Sequence, residues 1–148
     1  MIITISGSHA RLPFVLKFCA EKLGIDEKFA AFSIPVGVQL NKAGSSIFFA
    51  LITIMFMHVY NVDITMSLFI TLWISVFIMS IAKPPIPCGG FICIAYLFTV
   101  AGVPPEAIAV VLCIESIAIM FNGVCNESTN ITTSFIVAKS TGMLNEEK

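Results

Sequence analysis

Residues 29–137 are almost continuously apolar, and the interruptions in this pattern predict where helices end. Residues 29–40 and 47–59 are apolar, and the polar run 41–46 separates them. Each apolar run is shorter than the ~20 residues that cross a bilayer, so together they predict one discontinuous transmembrane helix. Two short buried helices joined by a loop are the alternative.

A second interruption follows the apolar run 64–82, which is long enough to cross a bilayer. The run stops at residues 83–90, where three prolines and two glycines exclude regular helix. Only a short apolar run, 91–101, comes next. A helix, a Pro/Gly tip and a short helix predict a re-entrant hairpin, whose irregular tip must be buried in protein or line a cavity. An ordinary loop between two spanning helices is the alternative.

The two ends of the chain also predict helices. Residues 12–23 have a helical pattern that ends at Gly24, after a polar loop at 6–9. Three basic side chains are expected on the exposed side of this helix: Arg11, Lys17 and Lys22. The last helix begins at residues 104–106, with Pro in its first turn and an acid near its positive end.

The last helix carries a polar face inside an apolar element. At ~100° per residue, five positions fall within about 80° of one another: Glu115, Ile119, Asn122, Asn126 and Asn130. Such a face predicts the lining of a polar chamber, and a packed polar seam between helices is the alternative. Ionisable groups at membrane depth usually face a cavity, a partner or a substrate path.

Composition restricts the class of protein. Of the 148 residues, 57% are hydrophobic and 11% charged, whereas a soluble domain has about 25% charged residues. The sequence therefore predicts an integral, multi-pass membrane protein in contact with lipid. The net charge of −1 leaves no basic surface for nucleic acid.

Enzyme chemistry has little support. The five cysteines form no CxxC pair, and His9 and His58 lie far apart with no carboxylate spacing nearby, so no metal set is predicted. Glu115 and Glu127 would lie roughly 18 Å apart along a helix, too far to act on one bond.

Positive charge predicts the orientation. Six of the eight Lys and Arg residues flank the apolar region: Arg11, Lys17, Lys22, Lys28, Lys139 and Lys148. The loops 60–63 and 102–106 contain none. Both chain ends are therefore predicted to be cytoplasmic. A re-entrant hairpin satisfies this arrangement, and four full spans satisfy it only if the Pro-rich tip with Lys83 is cytoplasmic.

Several segments resemble one transporter family. Residues 32–45, Phe-Ser-Ile-Pro-Val-Gly-Val-Gln-Leu-Asn-Lys-Ala-Gly-Ser, resemble the segment with the Asn-Met-Asp-Gly-Thr motif of the dicarboxylate/amino acid:cation symporters, the glutamate transporter homologues. Residues 80–90 are similar to that family's second hairpin tip. Residues 114–139 are similar to its last helix, including the closing Ile-Val-Ala-Lys. Residues 6–13 resemble the serine-rich first tip more loosely.

The resemblance implies an all-α membrane fold of discontinuous transmembrane helices plus a re-entrant helical hairpin, in part of a mobile elevator domain. Its segments would be 1–25 (half of the first hairpin), 29–60 (broken helix seven), 64–103 (second hairpin), 104–140 (broken helix eight) and 141–148 (cytoplasmic tail). The chain would begin inside a hairpin. The family assembles as homotrimers in the plasma membrane, so a scaffold half or related transporter subunits are expected partners.

Site residues follow from the same resemblance. The substrate would be held by Ser6, Ser8, Ile86, Pro87, Asn122 and Asn126. Cation positions would involve Gly37, Gln39, Asn41, Lys42, Ser80, Ile81, Lys83, Asn126 and Asn130. No other metal or cofactor is implied, and Na⁺ or H⁺ would be the coupling ion.

Five positions depart from the family pattern. Its substrate-binding Asp, Arg and Thr are here Ile119, Asn122 and Gly123, and two sodium-ligating Asp residues are Ala43 and Asn130. An amine on the substrate therefore has no counter-charge, and bidentate recognition of a second carboxylate is lost.

Lys42 and Lys83 border a sodium position of the family, so we hypothesise that one ammonium replaces a bound sodium. Glu115 and Glu127 would balance these lysines, because an unbalanced buried charge is costly. The expected function is symport of a small carboxylate, a dicarboxylate or an amino acid, with altered or lost sodium coupling. The alternative is a truncated or degenerate fragment, or a non-transporting subunit of a related transporter.

Overall fold

The computed structural model describes residues 8–83 and 89–145, without the side chains of Ser8, His9 and Ser116. In this part of the chain, secondary structure consists of six α-helices and one 3₁₀ turn, with an isolated bridge between Ile25 and Leu144 as the β-type pairing. The α-helices are α1 (Ser8–Lys22), α2 (Glu27–Leu40), α3 (Ala43–Val59), α4 (Met66–Ala82), α5 (Gly89–Ala101) and α6 (Ile108–Ser140). The prediction of an all-helical protein is confirmed.

Short polar signals set the helix ends. Gly24 has a φ of +67° and stops the chain from continuing α1, as the sequence predicts. Asp26 then caps α2, since its carboxylate accepts hydrogen bonds from the N–H groups of Lys28 and Phe29, both at 3.0 Å. Thr65 caps α4 in the same way, with its hydroxyl oxygen 3.3 Å from the N–H of Leu68.

Only two residues separate α2 from α3. Asn41 leaves the helical conformation with ψ at 94°, and its N–H still donates to the carbonyl of Gly37 at 2.7 Å. Lys42 starts the next helix by accepting from the N–H of Ser46 at 2.9 Å. The predicted interruption at 41–46 is therefore too long, because Ala43 to Ser46 already form the first turn of α3. Glu27–Val59 as a unit is long and apolar enough to cross a membrane.

The last helix bends rather than unwinds. Pro105–Ala107 form a 3₁₀ turn, and α6 follows from Ile108. Its two parts, Pro105–Glu115 and Ile117–Ser140, meet at 68°. The polar stretch 122–133 stays helical throughout.

Two apolar clusters hold these helices together. The α3–α5 cluster also includes the start of α6, and its fully buried members include Phe49, Ile94, Leu97, Phe98 and Val111. The α1–α2 cluster includes the end of α6, with Val15, Cys19, Ile25, Ile34 and Ala138 buried in it. Helix α6 is the element that contributes to both clusters.

The outward faces are strongly apolar. Trp73 is 72% exposed, and Phe32 and Phe121 are each 69% exposed. Such a surface is expected where lipid or another apolar protein replaces water. Helices α4 and α5 are short apolar helices that pack against one another. Residues 84–88, the predicted tip, lie outside the described residues, so the re-entrant hairpin stays a prediction.

The segment after α1 meets the segment after α6. The N–H of Asp26 donates to the carbonyl of Met143 at 2.9 Å, and the N–H of Asn145 donates to the carbonyl of Gly24 at 2.7 Å. Because the two segments are hydrogen-bonded to each other, they lie on the same side of any membrane that the chain crosses.

Candidate functional site

A layer of polar and charged side chains lies between the two apolar clusters. Along α6 the buried members of one cluster end at Val111, and Ile131 is the first residue packed on the other. We call the groups between them the polar layer: Arg11, Lys42, Lys83, Glu115, Asn126, Glu127 and Asn130. Arg11, Glu115, Glu127 and Asn130 are buried, and the two lysines and Asn126 are half-buried.

Arg11 is the largest departure from the sequence analysis. It was expected on the exposed side of the first helix with Lys17 and Lys22, which are indeed exposed, but Arg11 is only 2% exposed. Its guanidinium lies against Gly123 of α6, in space that any side chain at position 123 would fill. The signal was available, because Arg11 lies four residues before Val15, on the buried face of α1. Arg11 therefore also leaves the set of flanking charges that predict orientation.

Two positively charged side chains attract the carboxylate of Glu127. Its side chain is 2% exposed, and one carboxylate oxygen, Oε2, has no hydrogen-bond partner. Arg11 and Lys42 both act on this carboxylate by Coulomb attraction. That Glu127 balances a lysine stays a prediction, and Arg11 is a second cation near this carboxylate.

The side chains of Lys83 and Glu115 both approach Gly90, and the carboxylate oxygen Oε1 of Glu115 is buried without a hydrogen-bond partner. The ammonium Nζ and the carboxylate Oε1 lie 3.1 Å and 2.5 Å from the position that a Cβ on Gly90 would take. The ammonium also lies 5.9 Å from the ring centroid of Phe49, a favourable cation–π distance. Three helices, α3, α5 and α6, therefore surround the lysine that ends α4.

Asn126 joins α6 to the start of α3. Its side-chain oxygen accepts from the N–H of Gly44 at 2.8 Å, and its amide nitrogen donates to the hydroxyl of Ser45 at 3.4 Å. This approach needs a glycine, since a Cβ on Gly44 would lie 2.9 Å from the carbonyl oxygen of Asn122. The structure thus brings Asn122 and Asn126, two predicted substrate residues, to the α2–α3 break.

Asn130 joins α6 to α2. Its amide nitrogen donates to the carbonyl of Ile34 at 3.1 Å, and the rest of the amide fills the space beside Gly37. Gly37, Asn41 and Asn130, all predicted cation residues, line an open groove of about 520 Å³ between α2 and α6. Ser33 lies in the same groove, and its buried hydroxyl has no hydrogen-bond partner.

Some predicted site residues do not converge on these contacts. The side chains of Gln39 and Ile81 are exposed. Ser80 is buried, but its hydroxyl donates to the carbonyl of Phe77, 2.8 Å away in its own helix. Ser6, Ile86 and Pro87 lie outside the described residues, and Ser8 begins α1 with its side chain undescribed.

No three His, Cys, Asp or Glu side chains converge on a metal position within residues 8–83 and 89–145. The groove between α2 and α6 is lined instead by residues with carbonyl and amide oxygens, among them Gly37, Asn41 and Asn130. Such ligands suit alkali cations, which take oxygen donors.

Comparison with known protein families gives a match over nearly the whole chain. The model of the sodium:dicarboxylate symporter family matches residues 2–140. The chain belongs to the sodium:dicarboxylate symporter family. The predicted family is thereby confirmed, and this family is one of transporters rather than enzymes.

Family relatives include transporters from animals and bacteria. Excitatory amino acid transporter 1 of Rattus norvegicus is 30% identical over 110 residues, covering 74% of this chain and 20% of that protein. The human transporter of the same name is 29% identical over the same shares. The proton/sodium-glutamate symport protein of Bacillus subtilis is 27% identical over 143 residues, 97% of this chain and 33% of that protein. The chain thus spans a fifth to a third of these relatives.

Proposed function

We propose that this chain forms the substrate-binding part of a secondary transporter that carries a small carboxylate with altered or lost sodium coupling. The observation that supports it is the charge of the polar layer. Among the described residues, this layer contains three cations, Arg11, Lys42 and Lys83, and two carboxylates, Glu115 and Glu127. Charged groups are costly inside an apolar protein, and a group of them at membrane depth is typical of a substrate path.

Hydrogen-bond donors support an anionic substrate. The N–H of Gly44, in the first turn of α3, donates to Asn126, and the positive dipole end of this helix lies beside Asn122. Broken helices in transporters place such ends at anionic substrate groups. Position 119 is an isoleucine, so no carboxylate balances an ammonium there, and we propose a substrate without an amino group.

Altered cation coupling is supported by Asn130. In the groove beside Gly37, its amide donates a hydrogen bond to the carbonyl of Ile34, a role that an aspartate cannot perform. Lys42 and Lys83 add fixed positive charge nearby. We propose that the amide donor and one ammonium stand where relatives place a mobile sodium ion, which leaves H⁺ or residual Na⁺ as the coupling ion.

The surroundings of the chain belong to the same proposal. Its exposed apolar faces fit lipid and a separate scaffold, supplied by related subunits in a trimer. The hydrogen bonds between residues 24–26 and 143–145 support two termini on one side, proposed to be the cytoplasmic side of the plasma membrane. We also propose the segment boundaries given by the sequence, in which α4 and α5 form the second hairpin.

Binding to the purified chain tests the substrate class. We expect succinate to raise the melting temperature of the chain in lipid nanodiscs, aspartate to do so less, and a neutral amino acid to have no effect. Binding of all three alike, or of none, contradicts the proposal. Binding of none favours the non-transporting alternative.

Ion replacement tests the coupling. Uptake of labelled succinate by cells that produce the chain is measured with sodium or with choline as the external cation. We expect most of the uptake to persist in choline, because fixed charges replace the ion. Complete loss of uptake in choline contradicts the idea that an ammonium stands in for sodium.

A further inference from the structure

The open groove of about 520 Å³ between α2 and α6 is long and has an apolar rim. Along α2 it extends from Phe29 to Asn41, roughly 18 Å at 1.5 Å per residue, which corresponds to about three turns of helix. Three rim side chains are exposed, Phe32 to 69%, Leu40 to 62% and Val137 to 40%. A groove of this length and rim suits an elongated apolar occupant.

The floor of the groove differs from its rim, because small and polar residues recur there every four positions. Ser33 and Gly37 are half-buried on α2, and Asn130 and Ser134 are buried on α6. Residues four apart lie on the same face of a helix. In membranes, small residues at this spacing let two helices approach closely, and polar side chains form hydrogen bonds across the contact.

The hydroxyl of Ser33 indicates which kind of occupant fits. Hydroxyl groups on three other helices donate to the carbonyl four residues back, as in Thr71, Thr99 and Thr129, at 2.7–2.9 Å. The Ser33 hydroxyl is buried and makes no hydrogen bond to the described residues. Thr53 is also unpaired, but it does not line the groove. An unpaired buried hydroxyl is costly, so an occupant with hydrogen-bonding groups is favoured over one without.

A lipid tail and a helix differ in this respect. An acyl chain fills an apolar groove but has no donor or acceptor for the hydroxyl of Ser33. A helix with a small or polar residue at the contact offers a carbonyl or hydroxyl group to Ser33, while its apolar sides pack on the rim. The symport protein of Bacillus subtilis has about two thirds of its length outside its match to this chain, so the family has further segments that can supply such a helix.

We infer that the groove between α2 and α6 is the docking face for a transmembrane helix of a partner subunit, which forms a hydrogen bond with the hydroxyl of Ser33. The inference rests on the proposed function, which includes a scaffold supplied by other subunits, and it names the face and the contact. Asn41 and Asn130 line the same groove, so the docked helix covers two of the predicted cation residues.

Co-production with a piece of the Bacillus subtilis relative tests this contact. The probe is the part of that symport protein outside its match to this chain, produced as a separate polypeptide beside the tagged full chain. The amount of probe that copurifies in mild detergent measures association. Val36→Trp fills the groove and is expected to lower association at least tenfold. Ile74→Trp, at an exposed position of α4, should leave it unchanged.

Ser33→Ala separates a contact with the partner from a structural role. Loss of an unpaired buried hydroxyl should leave the melting temperature of the isolated chain unchanged or higher. Association with the probe should fall about threefold, the size of a typical hydrogen bond between membrane helices. Thr129→Val is the matched control in the same groove, because the Thr129 hydroxyl already bonds to its own helix. A lower melting temperature for Ser33→Ala without loss of association overturns the inference.

The remaining outcomes identify other occupants, and each overturns the inference. Equal association of the probe with the wild type and with Val36→Trp shows that the helix docks elsewhere. Self-association of the chain that Val36→Trp abolishes shows that a second copy fills the groove. A probe that does not associate with the wild type leaves lipid as the occupant. All three leave the proposed function standing, which fails separately if the wild-type chain binds no carboxylate.

Discussion

Single residues of the polar layer contact groups that are distant along the chain. Asn126 bonds to Gly44, 82 positions away, and Asn130 bonds to Ile34, 96 positions away. Such contacts fix the angles between helices more than they stabilise any one helix. Substitutions at these residues should therefore lower the stability of the whole fold.

Gly37→Ala should destabilise the protein, because the added methyl group overlaps the amide of Asn130. Overpacking of this kind costs about 1–3 kcal/mol of unfolding free energy. Thermal unfolding in detergent micelles measures it. Val36→Ala, at the exposed neighbouring position, is the control and should have a smaller effect. Equal melting temperatures for Gly37→Ala and the wild type would contradict the close approach.

Asn130→Asp should make stability depend on sodium. The carboxylate can no longer donate to Ile34, so the variant should melt lower than the wild type in choline chloride. A cation bound between these oxygens would restore stability, by about 2.7 kcal/mol at a concentration 100-fold above its Kd. Melting temperatures in sodium and choline chloride at equal ionic strength check this. A variant indifferent to sodium would show that position 130 alone does not control the cation.

At the scale of the helices, the capping of α2 is open to a direct test. Asp26→Ala removes a carboxylate that accepts two backbone N–H groups, which costs about 1 kcal/mol. Asp63→Ala removes an exposed acid before α4, where Thr65 and not Asp63 is the cap, and should change stability little. Urea or thermal unfolding of both variants gives the comparison, and equal losses would contradict the assigned cap.

The side chains of Lys83, after α4, and Glu115, in α6, both approach Gly90. Lys83→Met or Glu115→Gln alone should destabilise the protein, because each removes one of two opposite charges that lie near each other in an apolar region. The double variant should recover part of the loss, with a coupling energy of about 0.5–3 kcal/mol. Additive losses in this double-mutant cycle would show that the two groups do not interact.

Helix positions follow closely from the sequence, and helix contacts do not. Gly24 after α1 and Pro104 before the last helix are local signals for a helix end and a helix start. The sequence pattern therefore predicts both boundaries. The α2–α3 break was predicted too long because Gly and Ser at 44–46 resemble a loop, whereas they form a helix start packed tightly on α6. Arg11 differs from the sequence prediction for another reason. Charged residues of a short helix are usually exposed, whereas Arg11 is buried against α6.

For the whole molecule, two apolar clusters on either side of a polar layer could not be derived from periodicity. Which cluster a residue joins depends on contacts between helices that are distant in sequence. The family resemblance predicted which residues of α6 matter, and the structure adds Arg11, whose guanidinium lies against Gly123. The resemblance did not indicate this contact, because it joins two helices that are remote in sequence.

The predicted topology also concerns the whole molecule. In a background without the native cysteines, Lys22→Cys and Ser140→Cys should react with an impermeant maleimide from the cytoplasmic side, and Asn61→Cys from the opposite side. All three positions are exposed, so burial does not hide them. Labelling of whole cells against inverted vesicles measures the sidedness. Reaction of positions 22 and 61 from one side would exclude the proposed crossing by Glu27–Val59.

The pairing of Ile25 with Leu144 has a practical consequence for reporters. A fluorophore at one of these two loops reports on the same aqueous compartment as a quencher at the other, whatever the orientation of the protein in a vesicle. Contact between the fluorophore and the quencher at residues 25 and 144 therefore gives an internal reference. Movements of more remote helices during a transport cycle can be timed against it.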